Sequence, residues 1–331
     1  MDVDDDPPQR YDDTNRAFLQ AFIARGSLTF KEARPILAGI FTASGDRTSA
    51  EEVTQDDFDS YVAAAANALS PFDMEIRSTA HQITKTRIWA IVNSTSDLIT
   101  QGATTRTREE LAYIKRLIDA MFDTFNTPRR EIMGITSMQA LNSSVRKGGR
   151  QSLGGDESQA TQSADKGMTS SQAEKILNDM VVEGWFERSR EGWYTLSAHA
   201  LMELRGWLVE AYNDSEDPDE WQRIKMCMGC SDIITIGQRC PNMDCNARLH
   251  DICEATYWQG HKTREGNKCP KCGTEWTGKN YVGEKAETTR ESYQVGKRKS
   301  GSKRRQELVA DEEEEEENSE GEDPDAEGED E

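Results

Sequence analysis

No cysteine lies outside residues 227–272 of the 331-residue chain, and all seven fall within those 46 positions. Scattered cysteines would suggest a disulfide framework. Thiols confined to so short a stretch point instead to metal ligation in a reducing compartment. No segment approaches the roughly 20 consecutive apolar residues that a bilayer span needs. The opening Met1-Asp-Val-Asp-Asp-Asp lacks the basic-then-apolar order of a signal peptide. These absences predict a soluble, intracellular protein with no membrane partner. Basic charge is also in short supply, with 40 Lys and Arg against 61 Asp and Glu and a formal charge of −21. Fifteen of the acids sit in residues 311–331, which hold no Lys or Arg, so the rest of the chain has 46 acidic against 40 basic residues. The surplus therefore belongs to a solvated tail, read either as plain disorder or as a site for a basic partner such as a histone.

The length allows two or three domains, and the apolar periodicity divides accordingly into an α+β arrangement: tandem winged helices, a small two-zinc domain and an acidic tail. After a disordered stretch at 1–9, residues 10–100 read as a first winged helix. Phe18, Leu19, Phe22 and Ile23 share one face of a helix that Gly26 stops. Thr29-Phe-Lys-Glu32 is a capping box that opens a second helix carrying Ala33, Ile36, Leu37, Ile40 and Phe41, with Pro35 late for its first turn. A third helix covers Gln55 to Leu69. Strands at Met74–Ser78 and Thr86–Asn93 follow, the latter alternating Ile88, Ala90 and Val92 against Trp89 and Ile91.

The pattern recurs over 101–213. Thr107-Arg-Glu-Glu110 caps a helix striped with Leu111, Ile114, Leu117, Ile118, Met121 and Phe122, and further helices are expected near Ile135–Leu141 and over Ser171–Glu183. Trp185-Phe-Glu-Arg188 and Trp193-Tyr-Thr-Leu196 flank a turn in which Gly192 supplies positive φ. One helix from Ala198 to Tyr212 closes this unit. Residues 143–168, basic at Arg146, Lys147 and Arg150, read as a flexible insertion, and 214–222 as an acidic linker. Order is expected to end near Val282, leaving 283–331 as a basic then acidic tail. Lys297-Arg-Lys299 and Lys303-Arg-Arg305 there read either as a nuclear-import signal or as ordinary disordered charge.

Within 223–282 the cysteines and one histidine make four pairs: Cys227-x2-Cys230, Cys240-x4-Cys245, His250-x2-Cys253 and Cys269-x2-Cys272. Eight such ligands fill two closed tetrahedral zinc sites, with no open position for hydrolysis. Joining pairs one and three on one ion, and two and four on the other, interleaves the chain. The metal would then stabilise a segment too poor in apolar residues to fold alone. His261 is a rival donor that leaves the third pair incomplete, while His81 and His199 read as ordinary histidines. The two-zinc pattern is shared by RING domains and PHD fingers. Cys269-Pro270-Lys271-Cys272 favours a RING, and Asn267 stands where a PHD finger has an aromatic residue.

With tandem winged helices ahead of such a RING, residues 10–282 resemble the non-structural maintenance of chromosomes element 1 family, the RING subunit of the Smc five/six complex. The eight ligands and the run Gly184-Trp-Phe-Glu-Arg through Gly192-Trp-Tyr-Thr-Leu carry the likeness. The resemblance implies a nuclear, chromosome-associated protein of DNA repair and recombination. Its partners would be a MAGE-type winged-helix subunit, a kleisin and the SMC ATPases, and its RING would assist ubiquitin transfer. By the same resemblance Met228, Trp258 and Pro270 occupy the places of a conjugating-enzyme groove. Gly273 stands where active RINGs often carry a ubiquitin-clamping cation, which predicts weak activity without a partner. Two other readings compete: a purely architectural zinc-binding subunit, and a PHD-like histone reader. DNA contact is expected to be auxiliary at most, because the presumed recognition helix has Lys175 against Glu174, Asp179 and Glu183.

Overall fold

The computed structural model describes residues 11–94, 105–142, 168–217, 220–261, 266–290 and 293–294. Arg146, Lys147 and Arg150, the two basic clusters and the acidic tail lie outside them. The chain divides into one compact unit up to Glu284 and a second from Lys285 onward. No helix among the described residues is long and apolar enough to cross a membrane.

In the N-terminal subdomain, α1 (Asp13–Ile23) begins where the Asp12 carboxylate accepts from the Thr14 and Asn15 amides. Gly26, at φ 70°, turns the chain out of it. The short strand β1 (Ser27–Thr29) leads into α2 (Phe30–Ala43), capped by the expected Thr29–Glu32 box and carrying Pro35 inside. A second capping box, Thr54–Asp57, opens α3 (Gln55–Leu69). The hairpin β2 (Met74–Ala80) and β3 (Arg87–Asn93) completes a sheet of order β1-β3-β2. Phe18, Phe22, Leu37 and Phe58 are fully buried at its core, and the Phe58 and Trp89 rings meet edge-on at 4.8 Å. The alternation along β3 has a reason on both faces. Trp89 and Ile91 enter this core, whereas Ala90 and Val92 pack with Ile88 against Met202 of the next subdomain.

The middle subdomain repeats the scheme with differences. Its first helix, α4 (Arg108–Asp119), carries the Thr107–Glu110 box and runs on into a π-helical turn over Ala120–Thr124. A two-residue ribbon, β4 (Asn126–Thr127) with β5 (Arg130–Glu131), follows. The segment read as a helix from Ile135 splits: β6 (Ile135–Thr136) pairs with the later strand at Trp193 and Tyr194, and only α5 (Ser137–Leu141) is helical. α6 (Ser170–Val182) is capped by Thr169 and Gln172, and β7 (Phe186–Arg188) and β8 (Trp193–Leu196) form the hairpin around Gly192, at φ 83°. Met168, assigned to the insertion, is buried in the core beside α6. The expected single closing helix breaks at Leu204 into α7 (Ala198–Glu203) and α8 (Arg205–Tyr212), which lets Leu201 and Leu208 both reach the core.

The parts are not beads on a string. Ile224, Ile233 and Val282, all from the zinc-binding segment, are buried in the middle subdomain's core. Described residues at both ends of the linker are tied down too. Asn213 accepts from the Ile224 amide at 2.7 Å, and Gln222 accepts from the Asp214 amide at 3.0 Å. The β2–β3 hairpin wedges against both neighbours. Gln82, at its turn, donates to the Ile233 carbonyl at 3.0 Å and accepts from the Ile236 amide at 2.9 Å. Arg77 donates to the Met202 carbonyl at 3.0 Å. His81, read as an ordinary histidine, pairs with Glu187 at 3.1 Å, and that carboxylate raises its pKa. The two subdomains and the zinc-binding segment therefore form one packed body, in which the middle subdomain and that segment share a core.

Candidate metal centre

Strand β9 (Gly237–Arg239) is the middle of a three-stranded sheet, with β10 (Arg248–Leu249) on one side and β11 (Tyr281–Val282) on the other. β10 delivers His250, which also begins α9 (Asp251–Gly260), the helix that carries Cys253 in its first turn. The hairpin at 227–230 lies against this junction: a Cβ on Gly229 would come within 3.0 Å of the Cβ of Cys253, so a side chain there would crowd the ligand.

The topology brings the eight ligands together as two sets, Cys227, Cys230, His250 and Cys253 in one, and Cys240, Cys245, Cys269 and Cys272 in the other. Within each, the donor atoms lie no more than 4.8 Å apart. This is the pairing of first with third and second with fourth. The dimensions fit the metal. A tetrahedron with Zn–S bonds near 2.3 Å has edges of about 3.8 Å. Here Cys245 Sγ lies 3.6 Å from Cys269 Sγ, Cys240 Sγ lies 3.4 Å from Cys272 Sγ, and His250 Nδ1 lies 3.3 and 3.9 Å from the sulfurs of Cys230 and Cys253. The backbone amides of Gly229 and His250 point at Cys227 Sγ, at 3.3 and 3.4 Å, as donors that stabilise a thiolate. Burial pushes the Cys240 and Cys245 thiols above their ordinary pKa, so ion binding must displace their protons. These donor sets fit two structural zinc ions. His261 stays outside both, exposed and stacked on Tyr257 at 4.2 Å.

Elemental analysis of the purified chain should return two zinc ions per molecule, because both sets are complete and closed. One ion per chain would refute the interleaved assignment.

Beside the metal sets lies a feature that pattern reading missed. Glu131, on β5 of the middle subdomain, is buried and receives the Arg248 guanidinium, with Nε at 2.6 Å from Oε2 and Nη2 on Oε1. Lys225 Nζ reaches Oε1 at 3.1 Å, Arg239 Nη1 at 3.5 Å and the Trp221 indole N–H at 2.8 Å. Burial alone would raise the Glu131 pKa. The Arg248 hydrogen bond and the three neighbouring cations overcome it and hold the carboxyl at about 2. Burial wins at Lys225, whose pKa falls to about 7. Buried Glu, Lys and Arg run against the usual expectation for these residue types, so no periodicity in the sequence marks them.

Of the residues expected to form a conjugating-enzyme groove, Met228 is half-buried, Pro270 is exposed and Trp258 is buried. The Trp258 ring packs on Trp276 and Tyr257, with centroids 5.7 and 5.0 Å away. Tyr257 reaches the sulfur of Met228 at 3.9 Å through its hydroxyl and is half-buried where Trp258 is buried. Gly273 is exposed at φ 73°, where its amide closes the turn on the Cys269 carbonyl at 2.8 Å.

The family model for the Nse1 non-SMC component of the SMC5-6 complex matches residues 15–204, more than half of the chain, and a model for a RING-like domain matches 227–272. The non-structural maintenance of chromosomes element 1 homolog of Rattus norvegicus is 25% identical over 264 residues, covering 80% of this chain and 84% of that protein. The Homo sapiens homolog is 24% identical over the same shares, and the Schizosaccharomyces pombe protein is 22% identical over 73% of this chain and 89% of its own. A solved chain from an Nse1-Nse3-Nse4 complex matches the fold with a TM-score of 0.60 at 23% identity, over 81% of this chain and 98% of that one. With its domain match and a RING-like module holding two complete four-ligand sets, the chain belongs to the Nse1 family of non-SMC components of the SMC5-6 complex.

Proposed function

We propose that the chain acts as a RING-type ubiquitin ligase subunit of a nuclear chromosome-maintenance and DNA-repair complex. Its two helical subdomains, read as winged helices, hold a MAGE-type subunit and a kleisin, and its zinc module holds a charged ubiquitin-conjugating enzyme. The observation that carries this reading is the pair of closed ligand sets in a segment where Met228 and Tyr257 are half-buried and Pro270 is exposed. Closed zinc sites offer no position for an attacking water, so the module works by holding other proteins in place. The naming of a relative's solved complex after Nse1, Nse3 and Nse4 supports the choice of partners. Large apolar side chains left exposed on the middle subdomain, Met138 at 84% and Val182 at 86%, offer surface for such docking. DNA contact through α6 stays auxiliary, since Lys175 is already paired with Asp179 at 3.2 Å.

Burial of Trp258 shifts its part in the groove. It packs on Tyr257, whose hydroxyl reaches the Met228 sulfur, and the conjugating enzyme meets Met228, Tyr257 and Pro270. Without a cation at Gly273, bound ubiquitin keeps conformational freedom, and less of the positional advantage that accelerates attack is realised. Ubiquitin discharge should be feeble for the chain alone and rise when the MAGE-type subunit is bound. Gly273→Arg should raise it above Gly273→Ala, the control for the strain of a side chain at φ 73°. Met228→Ala should lower it. Strong discharge by the chain alone, unaffected by Met228→Ala, would refute this groove. No discharge in any mixture across a panel of conjugating enzymes would leave the architectural role.

A further inference from the structure

Glu131 presents an imbalance: a single buried carboxylate faces three buried cations, Lys225, Arg239 and Arg248, whose side chains are 3%, 8% and 0% exposed. Each cation sits beside a zinc ligand in the chain. Lys225 precedes Cys227 by two residues, Arg239 immediately precedes Cys240, and Arg248 precedes His250 by two. Arg248 also donates through Nη1 to the carbonyls of Cys245 and Ala247, both at 2.6 Å. The three segments that deliver ligands to both metal sets thus converge on one carboxylate that belongs to another subdomain. On the far side of that carboxylate's own backbone, the Glu131 carbonyl accepts from the Gly283 amide at 2.7 Å, tying in β11 as well.

We propose that Glu131 is a positioning residue for both zinc sites: the zinc module keeps its metal because the middle subdomain supplies this counter-ion. The physical reason is the asymmetry of buried charge. A buried ion pair adds little over an apolar replacement, but removing one partner leaves the other uncompensated and is strongly destabilising. Loss of the Glu131 charge would leave the Arg239 and Arg248 guanidinium groups buried beside Lys225 without a carboxylate, with backbone carbonyls and the Trp221 ring as the remaining partners of the three side chains. Their escape to solvent would carry the ligand-bearing strands with them. Metal occupancy and the attachment of the module to the middle subdomain therefore support each other through Glu131.

The test measures zinc release from the full-length chain into a colorimetric chelator, with protease cleavage in 214–222 as a second readout. Glu131→Gln, nearly the same size, should release both ions at least tenfold faster than the parent and expose the linker to cleavage. Arg239→Met in that background should slow release again by relieving the charge excess of the two guanidinium groups, an effect that a role in shape alone would not produce. Glu131→Gln retaining zinc at the parental rate would overturn the proposal, as would equal release from the single and double variants. If Glu131→Gln proves insoluble, recovery of a zinc-loaded double variant supports the proposal, and failure of both overturns it.

Discussion

Changing Cys253 to serine is expected to unfold the middle subdomain along with the zinc module, while the N-terminal subdomain survives. The variant leaves three ligands in its set, and structural zinc supplies most of the free energy that folds such a segment, about 10–16 kcal/mol in small peptides. When the module opens, Ile224, Ile233 and Val282 leave the middle subdomain's core. Each fully buried aliphatic side chain contributes roughly 1.5–3 kcal/mol, so the three together amount to about 5–9 kcal/mol. That is the scale of a whole domain's stability, about 5–15 kcal/mol. The N-terminal subdomain keeps Phe18, Phe22, Leu37 and Phe58 in a core that draws on none of these residues. Calorimetry of the variant should show one surviving transition, assignable by proteolysis to residues up to about 94, and the middle subdomain's transition lowered by roughly 20 °C or more. A middle subdomain that melts as in the parent while zinc is lost would show that its core stands without the module.

This outcome turns on contacts that local pattern could not disclose. The metal ligands were legible because thiolate pairs at x2 and x4 spacing have few other uses, and both sets assembled as the spacing required. Helices with a strong apolar stripe were equally plain: α3 runs from Gln55 to Leu69 as read, and the boxes at Thr29 and Thr107 cap their helices. Two-residue strands left no period to find, so β6 was absorbed into a helix and β5, the carrier of Glu131, went unseen. The linker misled by composition. Its acidic residues suggested solvent, yet Trp221 and Gln222 anchor it: Trp221 donates to Glu131, and the Gln222 backbone amide donates to Asn246 Oδ1 at 3.1 Å. Alternation in β3 announced a strand with two apolar faces, and only the fold reveals that the second face is covered by another subdomain.

Gly237→Ala should be far more damaging than Gly192→Ala, although both glycines have positive φ. At Gly192, φ is 83° and an added Cβ meets nothing within 4 Å, so the substitution costs only the left-handed backbone preference, about 1–2 kcal/mol. At Gly237, φ is 155° and the Cβ would lie 2.5 Å from the Leu249 carbonyl oxygen, 2.8 Å from Ile234 Cδ1 and 2.9 Å from His250 Cα. Two of these three atoms are backbone, so no rotamer change relieves the clash. Overpacking in a close-packed interior typically costs a further 1–3 kcal/mol, and here the atom displaced belongs to a zinc ligand. β9 lies between β10 and β11, so moving it also disturbs Val282 in the shared core. The expected result is a loss of about 3–5 kcal/mol for Gly237→Ala, read as a lower thermal midpoint and as early release of the ion held by the His250 set. Gly192→Ala should keep both ions and melt within a few degrees of the parent. Equal melting and equal zinc retention in the two variants would mean that the close approach of β9 to the Leu249–His250 backbone does not support the metal site.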